Sequence, residues 1–316
     1  MQILHLDSNH PLLADELEKI GFKNHFDLES SKSEVEKTIS NYFGIIIRSR
    51  ISIDKVFLDN CEKLKFIARI GSGTENIDVE HAKSKNIHVI STPEGNSNAV
   101  GEHALGMLLN LTNNITSANN EIKNRIWERE LNRGFELKGK TIGLIGYGHT
   151  GKSFARKLIG LGVKIIYHDL KNIEKNDDTV QVTLGEIKEH SDVISLHVSM
   201  TEESKGLINT DFINSCKKPF WLINTSRGNC IITKDLVEGL KSGKILGAGL
   251  DVLEYEKKSF EKLSISNNEN LDYLVSSKNV IITPHIAGWT KESELKIAQV
   301  LLRKIIAHKT LKKKLI

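Results

Sequence analysis

The chain has 316 residues, a formal net charge of +4 and 39% hydrophobic residues. That length predicts about two domains, and the composition is typical of a globular protein rather than a disordered or fibrous one. The charge is mild, and we interpret the lysines at 312–314 as a solvated terminus, so nucleic acid is not an expected partner. Three scattered cysteines without CxxC spacing indicate neither a disulfide framework nor a zinc site. With no apolar run of membrane-spanning length and no signal sequence, we expect a cytoplasmic protein that has neither a bound metal nor a membrane partner.

Strand-like and helix-like runs alternate along almost the whole chain. Predicted strands lie at 3–6, 44–47, 66–70, 87–90, 141–145, 163–167, 180–182, 192–197, 220–224, 248–252 and 280–283. Predicted helices lie at 12–20, 78–85, 98–112, 119–131, 152–161 and 291–308. Repeated alternation of this kind predicts parallel sheets that are covered by helices on both faces.

Two of the four prolines, Pro93 and Pro284, mark the expected crossings between domains. We therefore predict a substrate domain built from residues 1–93 plus 285–316, with a nucleotide-binding domain at 94–284 inserted into it. The predicted fold class is α/β, with two doubly wound parallel-sheet domains that are Rossmann-like or flavodoxin-like. The polar segment at 254–270 is interpreted as a long surface loop near the cleft between the domains, a common place for small-molecule sites.

A glycine-rich turn at 143–151 joins a predicted strand to a predicted helix. Gly146 allows a tight turn, Gly148 lets a pyrophosphate approach the backbone, and Gly151 lets the helix pack close to the strand. Asp169 follows the next predicted strand, 18 residues past Gly151, where a carboxylate can accept hydrogen bonds from an adenosine ribose. The spacing predicts a dinucleotide site, and the negative charge of Asp169 favours NAD over NADP.

Three further strands of this second domain deliver ionisable side chains to one edge of the predicted sheet. Arg227 follows the strand at 220–224, Glu256 lies beyond the strand at 248–252, and His285 follows the strand at 280–283. Ligand sites in doubly wound sheets lie beyond the carboxyl ends of the strands. The pattern therefore predicts an active site that contains a guanidinium, a carboxylate and an imidazole.

The order of these motifs resembles that of the D-isomer-specific 2-hydroxyacid dehydrogenases. The similarity includes the glycine turn, Ser-Arg-Gly at 226–228, Leu-Asp-Val at 250–252 and Pro-His-Ile at 284–286. It also includes the segments 68–78 and 195–198, so it covers nearly the whole chain. The family's layout has the same inserted domain.

The resemblance implies a role for each matched residue. Arg227 would hold the substrate carboxylate and polarise the C2 oxygen, and His285 would exchange the hydroxyl proton as the hydride moves. Glu256 would orient His285, although Glu254 is a nearby competitor and Lys257 stands where relatives often have proline. The backbone N–H groups of Ser72 and Gly73 would bind the carboxylate from the substrate domain.

The resemblance also implies NAD as the cofactor and a homodimer that forms through the helical region at 98–131. Asp251 and the backbone near Gly288 would lie beside the nicotinamide amide. The full set of expected cofactor-binding residues is Gly146, Gly148, His149, Thr150, Gly151, Asp169, His197, Thr225, Asp251 and Gly288.

The first domain should determine which acid is used. Arg48 and Arg69 end neighbouring predicted strands, and such a pair suits a phosphate. This pattern is similar to that of D-3-phosphoglycerate dehydrogenases, which catalyse the entry step of serine biosynthesis. A glyoxylate/hydroxypyruvate reductase or a D-lactate dehydrogenase remains an alternative, as does an NAD-sensing, corepressor-like binding protein. Trp289, a bulky residue where relatives often have a small one, could shape the cleft or begin a helix.

Overall fold

A computed structural model of the protein describes residues 1–173, 177–256 and 268–308. Lys257, the lysines at 312–314 and most of the predicted polar loop at 254–270 lie outside these residues. The chain divides into two compact units. Of the described residues, the terminal unit contains Met1–Asn96 and 289–308, and the central unit contains 97–173, 177–256 and 268–288.

Strands and helices alternate as the parallel-sheet prediction requires. The strands are β1 (Gln2–His5), β2 (Lys23–Phe26), β3 (Gly44–Ile47), β4 (Phe66–Arg69), β5 (His88–Ile90), β6 (Thr141–Ile145), β7 (Lys164–His168), β8 (Thr179–Gln181), β9 (Val193–Leu196), β10 (Phe220–Asn224), β11 (Ile245–Leu250) and β12 (Val280–Ile282). The helices are α1 (Pro11–Lys19), α2 (Lys32–Thr38), α3 (Lys55–Asp59), α4 (Val79–Ser84), α5 (Pro93–Thr112), α6 (Ile115–Lys123), α7 (His149–Leu158), α8 (Leu184–His190), α9 (Thr210–Ser215), α10 (Thr233–Lys241), α11 (Glu269–Ser276) and α12 (Lys291–Ala307).

The terminal unit is built on a five-stranded parallel sheet with the order β2-β1-β3-β4-β5. Its central strands, β3 and β4, are buried along their whole length because helices cover both faces. Ile45 and Ile47 pack in the core on one face, whereas Ile46 packs on the other face with Ile297 and Leu301 of α12. This strand order is that of the flavodoxin-like doubly wound folds.

The central unit is built on a seven-stranded parallel sheet with the order β12-β11-β10-β9-β6-β7-β8. Numbered from β6, the first six strands follow the Rossmann order 3-2-1-4-5-6, and β12 extends it. The strand order reverses at β6, which pairs with β7 on one side and β9 on the other. A crevice for ligands forms at such a reversal, beyond the carboxyl ends of the strands.

The predicted fold class is confirmed, whereas some predicted elements are wrong in their limits. The helix predicted at 119–131 is replaced by α6, which ends at Lys123, before Arg125 adopts a left-handed φ of 61°. Strand β2 was not predicted because its sequence, Lys-Asn-His-Phe, is mostly polar. The strand lies at the edge of the sheet. Within the described ranges, no helix is both long and apolar enough to cross a bilayer.

Candidate active site

Most of the predicted site residues of the central unit follow five neighbouring strands of its sheet. Gly146 follows β6, His197 follows β9, Thr225 and Arg227 follow β10, and His285 lies just beyond β12. Asp251 follows β11 directly, and Glu256 lies in the loop beyond it. Because all strands of the sheet are parallel, these residues lie at one edge of it.

The glycine turn after β6 leaves no room for larger side chains at two positions. Gly146 has a φ of +91°, and a Cβ atom there would lie 2.6 Å from the carbonyl oxygen of His197. A Cβ atom at Gly151 would lie 2.3 Å from the carbonyl oxygen of Gly146. Helix α7 then starts at His149 without a side-chain cap, which leaves N–H groups of its first turn for an anionic ligand.

Asp169 is fixed beside this turn. Its Oδ2 atom accepts a hydrogen bond of 2.7 Å from the backbone N–H of Tyr147, and its Oδ1 atom accepts one of 2.9 Å from Lys171. Each carboxylate oxygen has a second lone pair, so the side chain can still accept hydrogen bonds from a ribose.

Two buried polar atoms at this edge have no hydrogen-bond partner among the described residues. His197 exchanges a hydrogen bond of 2.9 Å with Ser195 through Nε2, and its Nδ1 atom has no partner. The Oγ1 atom of Thr225 is also buried without a partner. Burial lowers the pKa of His197 to about 3, so the ring is neutral. Leaving buried polar atoms unpaired costs free energy, and a bound polar ligand would remove that cost. The residues present therefore fit a dinucleotide.

A histidine and a glutamate form a close pair beyond β11 and β12. The Nδ1 atom of His285 lies 2.7 Å from Oε2 of Glu256, and both side chains are largely buried. Glu254 has a different partner: its carboxylate accepts a hydrogen bond of 2.9 Å from the backbone N–H of Thr233 at the start of α10. Of the two glutamates considered from the sequence, Glu256 is thus the partner of His285.

Asp251 is involved in shaping the loop that carries His285. Its carboxylate is 1% exposed and accepts hydrogen bonds from the Thr283 hydroxyl and from the backbone N–H groups of Ile286 and Ala287. His103 of α5 lies next to this group, with Nε2 2.9 Å from the Thr283 hydroxyl oxygen. Sequence analysis missed His103 because a single polar residue in an apolar helix gives no signal about what it contacts.

Arg227 is half-buried in the loop that follows β10. Its carbonyl oxygen accepts a hydrogen bond of 2.9 Å from the side-chain amide of Asn224, and its Nη1 atom donates one of 2.7 Å to the carbonyl of Ser226. Asn224 is fully buried at the end of β10, so the loop is anchored to the sheet. The backbone of Arg227 is thereby fixed at the sheet edge.

The two arginines that follow β3 in the terminal unit differ in their contacts. Arg50 donates to the carbonyl oxygens of three residues, Leu6, Ser30 and Asp27, and thus joins segments of the backbone. The guanidinium of Arg48 lies over the Trp289 ring, 4.2 Å from the ring centre, and its Nη2 atom donates one hydrogen bond of 3.4 Å to the carbonyl oxygen of Ser8. Asp7 fixes the turn beneath them by accepting a hydrogen bond of 2.6 Å from the backbone N–H of Arg48.

Arg69 is oriented differently from Arg48. It pairs in register with Ile47, so its side chain leaves the sheet on the same face as Ile47. The guanidinium is buried and donates through Nη1 to the carbonyl of Ile70. In the turn that follows, Ser72 is exposed and Gly73 is buried. The structure therefore places Arg69 beneath its own turn and Arg48 against an aromatic ring.

A Rossmann-order sheet with a glycine turn and a histidine–glutamate pair defines a dinucleotide-dependent oxidoreductase. Residues 105–287 match the family model described as "D-isomer specific 2-hydroxyacid dehydrogenase, NAD binding domain". The chain belongs to this family and is a D-2-hydroxyacid dehydrogenase, and the match confirms the predicted cofactor, NAD.

Three relatives illustrate the range within the family. The chain is 35% identical to the hydroxypyruvate reductase of Thermotoga maritima over 94% of this chain and 95% of the relative. It is 32% identical to the D-3-phosphoglycerate dehydrogenase of Bacillus subtilis over 92% of this chain, and it spans only 53% of that relative. It is 27% identical to the D-lactate dehydrogenase of Aquifex aeolicus, solved with NAD and lactic acid, over 100% of this chain and 97% of that one, with a TM-score of 0.84.

Proposed function

We propose that the protein catalyses the NAD-dependent oxidation of D-3-phosphoglycerate to 3-phosphooxypyruvate, the entry step of serine biosynthesis. The observation that carries this choice of substrate is the guanidinium of Arg48, which lies over the ring of Trp289 with its central carbon 4.2 Å from the ring centre. In this proposal the central unit performs the chemistry that the family shares, and the terminal unit selects the substrate.

The histidine–glutamate pair supports general acid–base catalysis by His285. Because Nδ1 faces Glu256, the proton of the substrate hydroxyl is exchanged at Nε2. The carboxylate of Glu256 fixes the orientation of the ring and stabilises the positive charge that it gains. NAD, when bound, would supply the acceptor for the hydride that leaves C2 of the acid. Arg227 provides a permanently charged, planar guanidinium that holds the substrate carboxylate and polarises the C2 oxygen.

The remaining site residues are assigned to binding. The N–H groups at Gly148, His149, Thr150 and Gly151 would bind the pyrophosphate, and Asp169 would bind the adenosine ribose. The unpaired atoms of His197 and Thr225 would bind polar groups of the dinucleotide. Gly288 would serve the nicotinamide amide. In the terminal unit, the backbone N–H groups of Ser72 and Gly73 bind the substrate carboxylate.

The stack of Arg48 on Trp289 supports recognition of a phosphate. Contact with the ring restricts the rotation of the guanidinium, whose five N–H donors lie in the plane of the group. Such an arrangement suits bidentate binding of a dianion. Arg69 is proposed as a second phosphate ligand, which would require its guanidinium to turn away from the carbonyl of Ile70.

A hydroxypyruvate or glyoxylate reductase is the second candidate. It is favoured by the burial of Arg69, which leaves Arg48 as the better-placed cation, and by the match over 95% of the Thermotoga maritima hydroxypyruvate reductase. A D-lactate dehydrogenase requires no cation at C3, and a binding protein that senses NAD requires no histidine–glutamate pair. Those two alternatives are less well supported.

An exposed apolar surface on the central unit supports the proposal of a homodimer. Helix α6 contains no buried residue, and the surface includes Ile115, Ile122, Trp127 and Leu131, of which Trp127 is 78% exposed. A second copy of the chain would cover these side chains. Trp127→Glu is expected to convert a dimer into a monomer, measured by light scattering during size exclusion. A wild-type monomer would contradict the proposal.

An NAD-linked absorbance assay with a panel of acids tests the proposed substrate. We expect kcat/KM for D-3-phosphoglycerate to exceed that for D-glycerate or D-lactate by at least about tenfold, the effect of one charge-assisted contact. The reverse reaction should be measured with 3-phosphooxypyruvate, hydroxypyruvate and glyoxylate. A preference for hydroxypyruvate or glyoxylate would replace the first candidate by the second.

A further inference from the structure

The loop that carries His285 is held on both sides by one buried carboxylate. Oδ1 of Asp251 accepts hydrogen bonds of 2.6 Å from the Thr283 hydroxyl and 2.8 Å from the N–H of Ile286. Oδ2 accepts a hydrogen bond of 2.8 Å from the N–H of Ala287. The three donors precede and follow His285 in the chain, so Asp251 fixes the loop at both ends.

The backbone of His285 needs this support. Its φ of 57° is left-handed, a conformation that side chains other than glycine rarely adopt. Its N–H donates to the carbonyl oxygens of Asp251, at 2.8 Å, and Thr283, at 3.0 Å. The direction of the imidazole therefore depends on how firmly residues 283–287 are held.

His103 completes the network from the side of helix α5. Its Nε2 atom lies 2.9 Å from the Thr283 hydroxyl oxygen and 3.6 Å from Oδ1 of Asp251. The hydroxyl of Thr283 has one hydrogen, which it donates to Asp251. His103 must therefore donate its own Nε2 hydrogen to Thr283, and this fixes the direction of both hydrogen bonds.

We propose that His103 is a positioning residue for the dehydrogenase reaction. It holds the Thr283 hydroxyl toward Asp251, and the Thr283–Asp251 pair in turn holds the left-handed turn that orients His285. This inference rests on the acid–base role proposed for His285. A small change in the direction of a catalytic group can lower a rate by about 100-fold, so the effect should be found in kcat rather than in cofactor binding.

Two substitutions at position 103 separate positioning from packing. His103→Leu fills a similar volume but has no donor, whereas the amide nitrogen of His103→Gln can reach the position of Nε2. We expect the leucine variant to lower kcat by about 10- to 100-fold, with NAD affinity within about twofold of wild type. The glutamine variant should keep kcat within about threefold. Glu102→Gln, an exposed neighbour on α5, is the matched control and should behave like wild type.

The isotope effect on kcat provides a readout that a loss of folded protein would not change. With the acid deuterated at C2, the isotope effect should rise in the leucine variant, because misaligned chemistry becomes rate-limiting. Equal losses of kcat in the leucine and glutamine variants, or a kcat for the leucine variant within twofold of wild type, would overturn the inference. If His285→Ala itself retains turnover, the proposed function fails as well. If His285→Ala loses turnover but His103→Leu keeps the wild-type kcat, the inference alone fails.

Discussion

The two units use the polar side chains at the edges of their parallel sheets in different ways. In the terminal unit, buried His5 has a partner at each ring nitrogen, Asn24 at Nε2 and Asn9 at Nδ1. In the central unit, buried His197 has a partner among the described residues only at Nε2. Burial alone therefore does not identify a ligand-binding histidine. At the edge of the sheet, the unpaired Nδ1 atom of His197 provides a hydrogen-bonding position that a ligand could fill.

The arginines extend this comparison to the substrate. Arg50 is satisfied by three carbonyl oxygens of its own unit, and its contacts explain why a charged residue follows a buried strand. Arg48, two residues earlier, is stacked on an aromatic ring that is itself 65% exposed. One side chain thus stabilises the fold, and the other presents a charge at the surface of the unit. We expect substitutions of Arg50 to affect stability and substitutions of Arg48 to affect substrate selectivity.

The largest expected effect concerns the central unit. His285→Ala or Arg227→Ala should lower kcat by about 1,000-fold or more, since general acid–base catalysis alone contributes roughly 100- to 10,000-fold. NAD affinity, measured by fluorescence titration, should stay within a few-fold of wild type, because neither side chain is assigned to the dinucleotide. If either variant retains a tenth of the wild-type kcat, its proposed role is wrong.

The two glutamates beyond β11 provide a sharper test with a built-in control. Glu256→Gln should lower kcat by roughly 10- to 100-fold, because an amide cannot stabilise the charge that His285 gains. Glu254→Gln removes the negative charge at the start of α10 and should affect the melting temperature more than kcat. The measurement is kcat with the best acid of the panel, together with a thermal melt of each variant. Equal loss of kcat in both would contradict the pairing of Glu256 with His285.

The terminal unit should control selectivity rather than the chemical step. Arg48→Ala should raise KM for the phosphorylated acid by roughly 10- to 100-fold, the effect of one charge-assisted contact, and change KM for D-glycerate much less. Trp289→Leu should raise the KM for the phosphorylated acid by part of this amount. Trp289→Phe should leave that KM near the wild-type value because a ring is still present. Arg50→Ala should instead lower stability. A parallel rise of KM for both acids in the Arg48 variant would contradict phosphate recognition.

Much of the central unit could be predicted from the sequence because its signals are local. The glycine spacing, the acid after the second strand and the histidine after β12 each lie beside a strand that is recognisable from its apolar residues. The choice between Glu254 and Glu256 could not be predicted, since both lie in one loop and only the fold brings Thr233 to the first and His285 to the second.

The terminal unit was harder to interpret from the sequence. Arg48 and Arg69 were expected to serve one pocket because both end neighbouring strands. The register pairs Arg69 with Ile47, and Arg69 donates to the carbonyl oxygen of Ile70 whereas Arg48 lies over the Trp289 ring, so their joint phosphate site stays a prediction. The stack on Trp289 joins positions far apart in the chain, and no local pattern indicates such a contact. The spacing of residues along the sequence does not predict which distant side chains come into contact.

A measurement of stability rather than of activity tests the contrast between His197 and His5. Burial lowers the pKa of His197 to about 3, well below the ordinary value of 6.5, and it also lowers the pKa of His5, where the hydrogen bond with Asn24 opposes the shift. Between about pH 6.5 and 3 the unfolded chain binds a proton at residue 197 that the native state does not. The free energy of unfolding should therefore decrease as pH falls through this window, by about 1.4 kcal/mol per pH unit from His197 alone.

Urea titrations at pH 7, 6, 5 and 4 measure this slope, and substitutions assign it. In His197→Gln, the slope of the free energy of unfolding against pH should be smaller by about one proton's contribution between pH 6 and pH 4. His5→Gln should remove less, because Asn24 partly offsets the burial of His5 in the native state. Saturating NAD should stabilise wild type more than His197→Gln if the Nδ1 atom binds the dinucleotide. Identical slopes in wild type and His197→Gln would mean that the ring is not buried as neutral imidazole, and the contrast between the two histidines would then be lost.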